Sequence, residues 1–170
     1  MNKAYVLGAL HDGVFRRKTC RIVQKEYEYI KLLQDGIQSL GQKAWIYQEG
    51  SSRNLFVVEF SRSFLSGFEV STQQEKTDYI RGYFDADGGI SRNPDVRYYL
   101  YFAQKDLADL KQVRKYLMEL SMKCGVIHNP SRSTDPNYWR FYVKAESYEH
   151  FAQVVGSWHP VKRQFLRMKI

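Results

Sequence analysis

An amphipathic spacing of apolar residues occurs twice along the chain. In residues 24–43 the apolar positions are Ile30, Leu33, Ile37 and Leu40. In residues 104–123 they are Leu110, Val113, Leu117 and Leu120. Steps of three, four and three residues place these side chains on one face of an α-helix. Each segment is therefore predicted to form one amphipathic helix.

The two helical segments belong to a longer internal repeat. Both begin with Gln-Lys-acid, both end on Lys, and QKEYEYIKLLQDGIQSLGQK superposes on QKDLADLKQVRKYLMELSMK without a gap. A strand-like run precedes each helix, KTCRIVQ in one copy and VRYYLYFAQ in the other, and two strand-like runs follow it. The following runs are AWIYQE and NLFVVEF, then CGVIHN and YWRFYVKA, joined by the turn-like segments GSSR and PSRSTDP.

The repeat predicts an α+β fold made of two αββαββα units related by a pseudo-two-fold axis. We expect an N-terminal unit over residues 1–73 and a C-terminal unit over residues 74–170, packed together as one compact monomer. Each unit is predicted to contribute one antiparallel sheet.

Each unit begins with an apolar run that ends in Asp-Gly. The runs are AYVLGALHDG and YIRGYFDADGG, with Gly8 and Gly82 at their centres. A glycine at a helix crossing lets two backbones come close together. Taken singly, each run is typical of a core helix with a glycine C-cap. Two such runs at matching places in a repeat favour a shared function instead.

The string IRGYFDADG resembles the LAGLIDADG motif of the LAGLIDADG homing endonucleases. The matching letters are Gly82, Asp85, Ala86, Asp87 and Gly88. The resemblance extends over essentially the whole chain, because that family shows the motif at the head of a duplicated αββαββα unit. It implies two motif helices packed along the axis and two saddle-shaped sheets that straddle DNA. It also implies that Asp87, and Asp12 in the first motif, bind the catalytic divalent metal, Mg²⁺ or another cation such as Mn²⁺.

The first motif departs from the pattern by one residue. Gly8 is followed by four residues up to Asp12, whereas Gly82 is followed by five residues up to Asp87. Either the two glycines are equivalent or the two Asp-Gly pairs are, and the sequence leaves both alignments open. His11 stands where the motif has a small residue; it could be an extra ligand or a proton carrier, although a packed or capping histidine is the commoner case.

Other catalytic candidates lie at repeated positions. Resemblance to the family suggests that Gln24 and Gln104 order water around the metal, with helix capping as the structural alternative. It also suggests that Lys162, with Lys76 at the corresponding point before the second motif helix, stabilises charge or tunes the attacking water. Either lysine could instead be a solvated surface charge. Asp85 is expected to cap the partner helix and not to bind metal.

Charge favours an anionic partner. The chain has 26 Lys and Arg against 18 Asp and Glu, a formal charge of +8 and a pI near 9.4. Nucleic acid or a membrane surface would fit this charge. No apolar run approaches the roughly 18 residues of a membrane span, and no signal peptide is seen, so an intracellular, cytoplasmic, prokaryote-like protein is expected. The two cysteines, Cys20 and Cys124, form neither a disulfide framework nor a zinc motif.

Alternation along the predicted strands places basic residues on one face of each sheet. Arg140, Tyr142 and Lys144 share a face, while Phe141 and Val143 share the other. The remaining residues predicted to contact DNA lie in similar rows or in connecting loops: Arg16, Arg17, Lys18, Arg21, Arg53, Arg92, Arg97 and Arg132.

The predicted function is site-specific hydrolysis of both strands of double-stranded DNA, at a long and partly asymmetric target, by a monomer. One alternative is an intron RNA maturase, with intron RNA as the partner and cleavage weak or lost. A DNA-binding protein on the same fold is the other. Charge cannot separate these functions, since all three need the same basic surface.

Overall fold

The computed structural model describes residues 1–50, 53–93 and 95–167. Within these residues, the α-helices are α1 (Lys3–Ala9), α2 (Tyr27–Ser39), α3 (Gln73–Asp87), α4 (Leu107–Glu119), α5 (Tyr148–Val154) and α6 (Pro160–Arg167). The strands are β1 (Gly13–Phe15), β2 (Thr19–Gln24), β3 (Ala44–Gln48), β4 (Phe56–Ser61), β5 (Gly89–Ile90), β6 (Leu100–Gln104) and β7 (Trp139–Val143). Three short 3₁₀ turns cover Leu10–Asp12, Arg62–Leu65 and Ala145–Ser147. None of the helices described is long and apolar enough to cross a membrane.

The strands form two antiparallel sheets, as the repeat predicts. The first has the order β1-β2-β4-β3, and the second has the order β5-β6-β7. Gln24 pairs with Phe56 at the end of β2, and Gln104 pairs with Trp139 at the end of β6. The two glutamines therefore occupy equivalent places in the two sheets.

The predicted strand CGVIHN is not a regular strand. It contacts β7 through two isolated bridges, Cys124 to Val143 and His128 to Arg140. Gly125 lies between the bridges and Pro130 follows them, and both residue types weaken a strand. The fourth strand of the second sheet is thus reduced to two points of contact.

The closing helices of the two units also differ. In the first unit the predicted closing helix is only the 3₁₀ turn Arg62–Leu65, whereas the second unit ends with α5 and α6. As a result, α6 has no helical counterpart in the described part of the first unit. α3 begins at Gln73, beside the predicted boundary between the units.

The predicted amphipathic helices pack on the inner faces of the sheets. Ile30, Leu33 and Ile37 of α2 lie in one core with Ile22 and Phe60 of the first sheet. Leu110, Val113 and Leu117 of α4 lie in a second core with residues of the other sheet. Because strand side chains alternate, the opposite face of each sheet is left outside these cores.

Helices α1 and α3 cross at their glycines. A Cβ atom on Gly8 would overlap the carbonyl of Tyr79 and lie 2.8 Å from the nitrogen of Tyr83. Reciprocally, a Cβ atom on Gly82 would overlap the carbonyl of Tyr5. The reciprocal contacts make Gly8 and Gly82 equivalent, so the alignment of the glycines is the correct one, and one residue is missing before Asp12.

The 3₁₀ turn Leu10–Asp12 compensates for the missing residue. Three residues in a 3₁₀ turn rise by about 6 Å, at about 2.0 Å each. Four α-helical residues rise by the same distance, at about 1.5 Å each. The tighter winding therefore carries Asp12 as far past the crossing glycine as Asp87 lies in α3.

Candidate active site

Two carboxylates meet where the crossing helices end. Asp12 closes the 3₁₀ turn after α1, Asp87 closes α3, and both are solvent-exposed. Desolvation in the cleft, and then the charge of Asp87, raise the pKa of Asp12 to about 6. Desolvation also raises the pKa of Asp87, and Lys162 opposes that rise. Each acid therefore lies in a site where a nearby cation would be stabilising.

The two predicted glutamines have different surroundings. The Nε2 group of Gln24 donates a hydrogen bond to Asp12, and Gln24 lines a cleft of about 300 Å³ together with Asp87 and Lys162. Gln104 lines a different cleft, together with His11. The side-chain oxygen of Gln104 accepts a hydrogen bond from the backbone nitrogen of Lys105 at 2.7 Å. The structure brings Gln24 to the carboxylates and leaves Gln104 turned to the backbone.

Lys162 is buried beneath the end of α3. It is 6% exposed, and its ammonium group donates to the carbonyl oxygens of Phe84 at 2.6 Å and Gly88 at 2.7 Å. Burial lowers its pKa to about 8, against the opposing charges of Asp85 and Asp87. A positive charge here is favourable because the C-terminal end of a helix is negative. Lys162 thus offsets the placement of two acids at that end.

Lys76 is not brought to the site. Its ammonium group pairs with Glu119 at 2.8 Å and lies over the ring of Tyr116. Lys76 lies three turns before Asp87 on the same helix, an axial distance of about 16 Å. Lys76 lies within α3 and not before it, and among the described residues the first unit has no equivalent of α6 to carry a lysine into the cleft.

His11 is packed between aromatic rings. One ring nitrogen lies 2.6 Å from the hydroxyl of Tyr79, and the ring lies 4.1 Å from that of Tyr83. Burial lowers the pKa of His11 to about 4, so it is neutral at neutral pH. Of the alternatives open from the sequence, the geometry matches the packed histidine.

Asp85 does not cap the partner helix, contrary to the sequence prediction. It is fully buried and accepts hydrogen bonds from the hydroxyl of Tyr5 at 2.5 Å, from the backbone nitrogen of Trp158 at 2.9 Å and from the hydroxyl of Ser157. The sequence favoured a cap because an aspartate near a helix end commonly accepts hydrogen bonds from backbone N–H groups. Instead, Asp85 ties the middle of α1 to the segment before α6. No sequence signal pointed to these partners, which lie 72 to 80 positions away.

The outward face of the second sheet carries the predicted basic row. Phe141 and Val143 are buried, while Arg140 and Tyr142 face the other way. The guanidinium of Arg140 lies 4.4 Å from the centre of the Tyr101 ring and donates to the hydroxyls of Tyr138 and Tyr142. The alternation predicted for β7 is therefore observed.

The outward face of the first sheet is different. Arg21 is only 9% exposed, and its guanidinium pairs with Glu49 at 2.7 Å. Glu59 lies on the same face and accepts from Thr19 and Tyr47 at 2.5 and 2.6 Å, contacts that help to hold its pKa below the usual range. Arg21 is thus occupied by an internal partner, which the local row of residues could not show.

The other residues predicted to contact DNA lie at the surface. Arg92 also lines the cleft that contains Asp87. The exposed residues of this set are Arg16, Arg17, Lys18, Arg53, Arg92, Arg97, Arg132 and Lys144.

Comparisons with known proteins bear on this site and its fold. Residues 74–156 match the family model described as a LAGLIDADG-like domain. The predicted LAGLIDADG resemblance is confirmed. A solved structure of mesophilic variants of the homing endonuclease I-DmoI aligns with a TM-score of 0.70 and 19% identity, over 97% of this chain and 96% of that one. I-DmoI in complex with DNA and Mn aligns with a TM-score of 0.66 and 20% identity, over 90% and 94%.

The LAGLIDADG fold is also found outside I-DmoI. The N-terminal LAGLIDADG domain of DUF199/WhiA aligns with a TM-score of 0.70 and 17% identity, over 90% of this chain and 79% of that one. At these identities the alignments show the fold alone. The comparison with curated proteins gave no match.

The carboxylates of this site suit a metal held mainly by water and substrate. In residues 1–50, 53–93 and 95–167, no group of three or more His, Cys, Asp or Glu side chains is arranged to hold a metal ion. Mg²⁺ commonly takes only one or two carboxylates, with water and substrate phosphate as its other ligands. Burial, and then the charge of Asp87, raise the pKa of Asp12, and a bound cation would offset both effects.

Proposed function

We propose that this protein is a metal-dependent, site-specific endonuclease that hydrolyses both strands of double-stranded DNA. The observation that carries the proposal is the convergence of Asp12 and Asp87, one from each motif, beside Gln24 and the buried amine of Lys162. Since one chain supplies both motifs, the protein would act as a monomer on a long and partly asymmetric target.

Asp12 and Asp87 would hold Mg²⁺ or Mn²⁺, which neutralises charge on the phosphate and provides an activated water. Gln24 fixes the orientation of the Asp12 carboxylate through its amide. Lys162 holds the end of α3 in place through two backbone carbonyls and adds positive charge beside Asp87. Gln104 would order water only after it rotates away from its own backbone.

The relatives with solved structures support the proposal by analogy of fold. I-DmoI is described as a homing endonuclease, and its structures with DNA include ones with Mn, with Mg and with Ca. DNA as the substrate and a divalent cation as the cofactor are extended to this chain as parts of the proposal. The outward basic face around Arg140 supports a polyanionic partner independently.

Asp87→Asn tests the proposal. The wild-type protein with Mg²⁺ should cut the intron-free or intein-free version of its host gene at one site. The variant keeps the size of the side chain but loses the charge, so cleavage should disappear while binding of the same DNA stays near normal. Asp35→Asn is the matched control, since Asp35 is exposed on α2 and pairs with Lys31.

Two results would count against an endonuclease. Absence of cleavage by the wild-type protein would contradict the activity itself. Equal loss of DNA binding and cleavage in Asp87→Asn would assign Asp87 a structural role.

The second candidate function is nucleic-acid binding without efficient cleavage, either as an intron RNA maturase or as a DNA-binding protein. The asymmetry of the two motifs favours it, because the described first unit supplies no equivalent of Lys162 and packs His11 between aromatic rings. Rescue of intron splicing by the Asp87→Asn variant would demonstrate the maturase function.

A further inference from the structure

A cleft lined by aromatic rings lies at one end of the second sheet. Four tyrosines form most of its wall, and its volume is about 750 Å³. We call it the tyrosine cleft, defined by Tyr98, Tyr99, Tyr142, Tyr148, Arg97 and Lys144. A volume of this size is within the range that holds small organic ligands.

The rings of the tyrosine cleft are held in place by one another. Tyr98 and Tyr148 pack edge to face with their centres 5.0 Å apart, and the Tyr148 hydroxyl donates to the backbone carbonyl of Tyr98 at 3.3 Å. Tyr99 and Tyr142 pack edge to face at 6.3 Å. These contacts fix the walls before any ligand binds, so little conformational entropy is lost on binding.

The charge at the cleft is positive. Arg97 and Lys144 are exposed, and neither forms an ion pair within the described parts of the chain. The acid at the cleft, Glu146, already pairs with Lys123 at 3.0 Å. An anion is therefore the ligand that the charge favours, and the rings favour a flat apolar group attached to it.

The cleft adjoins the candidate active site. Tyr99 lines both the tyrosine cleft and the cleft that contains Asp87 and Lys162. DNA bound over the carboxylates would therefore pass beside the tyrosine cleft.

The equivalent end of the first sheet also has a cleft, of about 670 Å³, but its lining differs. It is lined by basic, serine and leucine side chains with a single aromatic ring, that of Phe15. The tyrosine lining is thus a feature of the second unit and not a by-product of the repeat.

We propose that the tyrosine cleft binds one unstacked nucleotide of a DNA strand, with the base against the tyrosine rings and the phosphate toward Arg97 and Lys144. This inference rests on the proposed function for the presence of DNA. Stacking on aromatic side chains is the general way in which proteins hold unpaired bases, because every base has a flat face. Cations at the rim hold the phosphate, as the backbone of single strands requires.

Single-strand binding without metal tests the tyrosine cleft directly. A fluorescein-labelled oligonucleotide of four deoxythymidines is titrated with the protein in EDTA, and anisotropy reports binding. Tyr99→Leu should weaken binding about ten-fold, because a stacking partner is lost. Tyr27→Leu is the matched control: Tyr27 is 49% exposed on α2 of the first unit and does not line the tyrosine cleft, so its loss should leave binding unchanged.

A crosslink locates the base. An oligonucleotide with one 5-iododeoxyuridine is irradiated with the protein, and mass spectrometry identifies the attached peptide. Attachment to Tyr98, Tyr99, Tyr142 or Tyr148 supports the proposal. Attachment elsewhere, or equal effects of the two leucine variants, would overturn it. It would also be overturned if the matching RNA oligonucleotide bound more tightly, or if free thymidine monophosphate bound as tightly as the oligonucleotide. Because no metal or cleavage is involved, failure here leaves the endonuclease proposal to its own test.

Discussion

His159 is a buried titratable residue that lines the cleft containing Asp87 and Lys162. It is 3% exposed, and its Nδ1 atom accepts a hydrogen bond from the backbone nitrogen of Val161 at 3.2 Å, at the start of α6. This role needs a neutral ring with Nδ1 unprotonated. Burial, then the charges of Lys162 and Arg92, lower its pKa to about 4, although Glu26 lies 4.0 Å away.

The pKa of His159 predicts how stability depends on pH. In the unfolded chain a histidine has a pKa of about 6.5, so between pH 6.5 and 4 the unfolded state binds the extra proton. The contribution of His159 is therefore fully present above pH 6.5 and decreases as the pH falls toward 4, by up to about 3 kcal/mol. Asp12, whose pKa is raised to about 6, changes stability in the opposite direction over part of this range.

His159→Asn separates the two effects. The amide oxygen can still accept from Val161, but the side chain does not titrate. The unfolding free energies of wild type and variant are measured by urea denaturation from pH 7.5 to 4. As the pH falls, the variant should become more stable relative to the wild type, because only the wild type loses the contribution of His159. A constant difference across that range would contradict a neutral buried His159.

The repeat marks candidate positions twice, and the structure brings three of them together: Asp12, Asp87 and Gln24. Their proximity followed from position in a repeat, which carries information that single residues lack, while their catalytic and metal-binding roles stay predictions. The capping role predicted for Asp85 was wrong, and no role was predicted for His159, since the surroundings of both depend on how α6 and the segment before it pack. Burial and long-range hydrogen bonding have no local pattern by which they could be predicted.

The crossing of α1 and α3 is the element-scale feature on which the site depends. It brings the two motif ends together, and it requires close backbone approach at Gly8 and Gly82. Only glycine fits, because a Cβ atom at either position would overlap a backbone carbonyl of the other helix. From this contact the 3₁₀ turn Leu10–Asp12 carries the chain to Asp12, and α3 itself carries it to Asp87.

Gly8→Ala and Gly82→Ala should each destabilise the protein by several kcal/mol, since the clash is with backbone and overpacking of a core costs at least about 1 to 3 kcal/mol. Thermal and urea unfolding measure the effect. Gly36→Ala is the matched control within α2: there the new methyl group meets only the flexible side chain of Met1. Because alanine favours a helix by up to about 1 kcal/mol over glycine, this control should be neutral or stabilising. Equal losses in all three variants would contradict a close crossing.

Elements with a strong period were predicted from the sequence, and elements that depend on packing were not. α2 and α4 follow from their apolar spacing, and β7 follows from its alternation. The 3₁₀ turn Leu10–Asp12 could not be predicted, because it forms only when the crossing glycines fix where Asp12 must lie. No regular strand forms from Cys124 to His128, because Gly125 and Pro130 weaken it, and a prediction from apolar residues alone does not take them into account.

The whole molecule distributes its positive charge unevenly between the two outward sheet faces. On the first face Arg21 is paired with Glu49, and Glu59 adds a further negative charge. On the second face Arg140 is surrounded by tyrosine rings and hydroxyls, with no carboxylate partner among the described residues. We therefore expect the second sheet to supply more of the salt-dependent binding to DNA.

Arg140→Gln tests this expectation against Lys31→Gln, which removes the same charge from an exposed position on α2. Binding of a duplex is measured by anisotropy over a range of salt concentrations, without divalent metal. Each phosphate neutralised contributes a slope of about −0.9 to the dependence of log K on log salt. Arg140→Gln should reduce the magnitude of the slope by about one, because a cation is lost from the face that is expected to bind DNA. Lys31→Gln should leave the slope unchanged, although the two variants have the same net charge.

Circular dichroism establishes that both variants are folded. Equal slopes in the two variants would mean that net charge, and not the outward face of the second sheet, determines DNA binding.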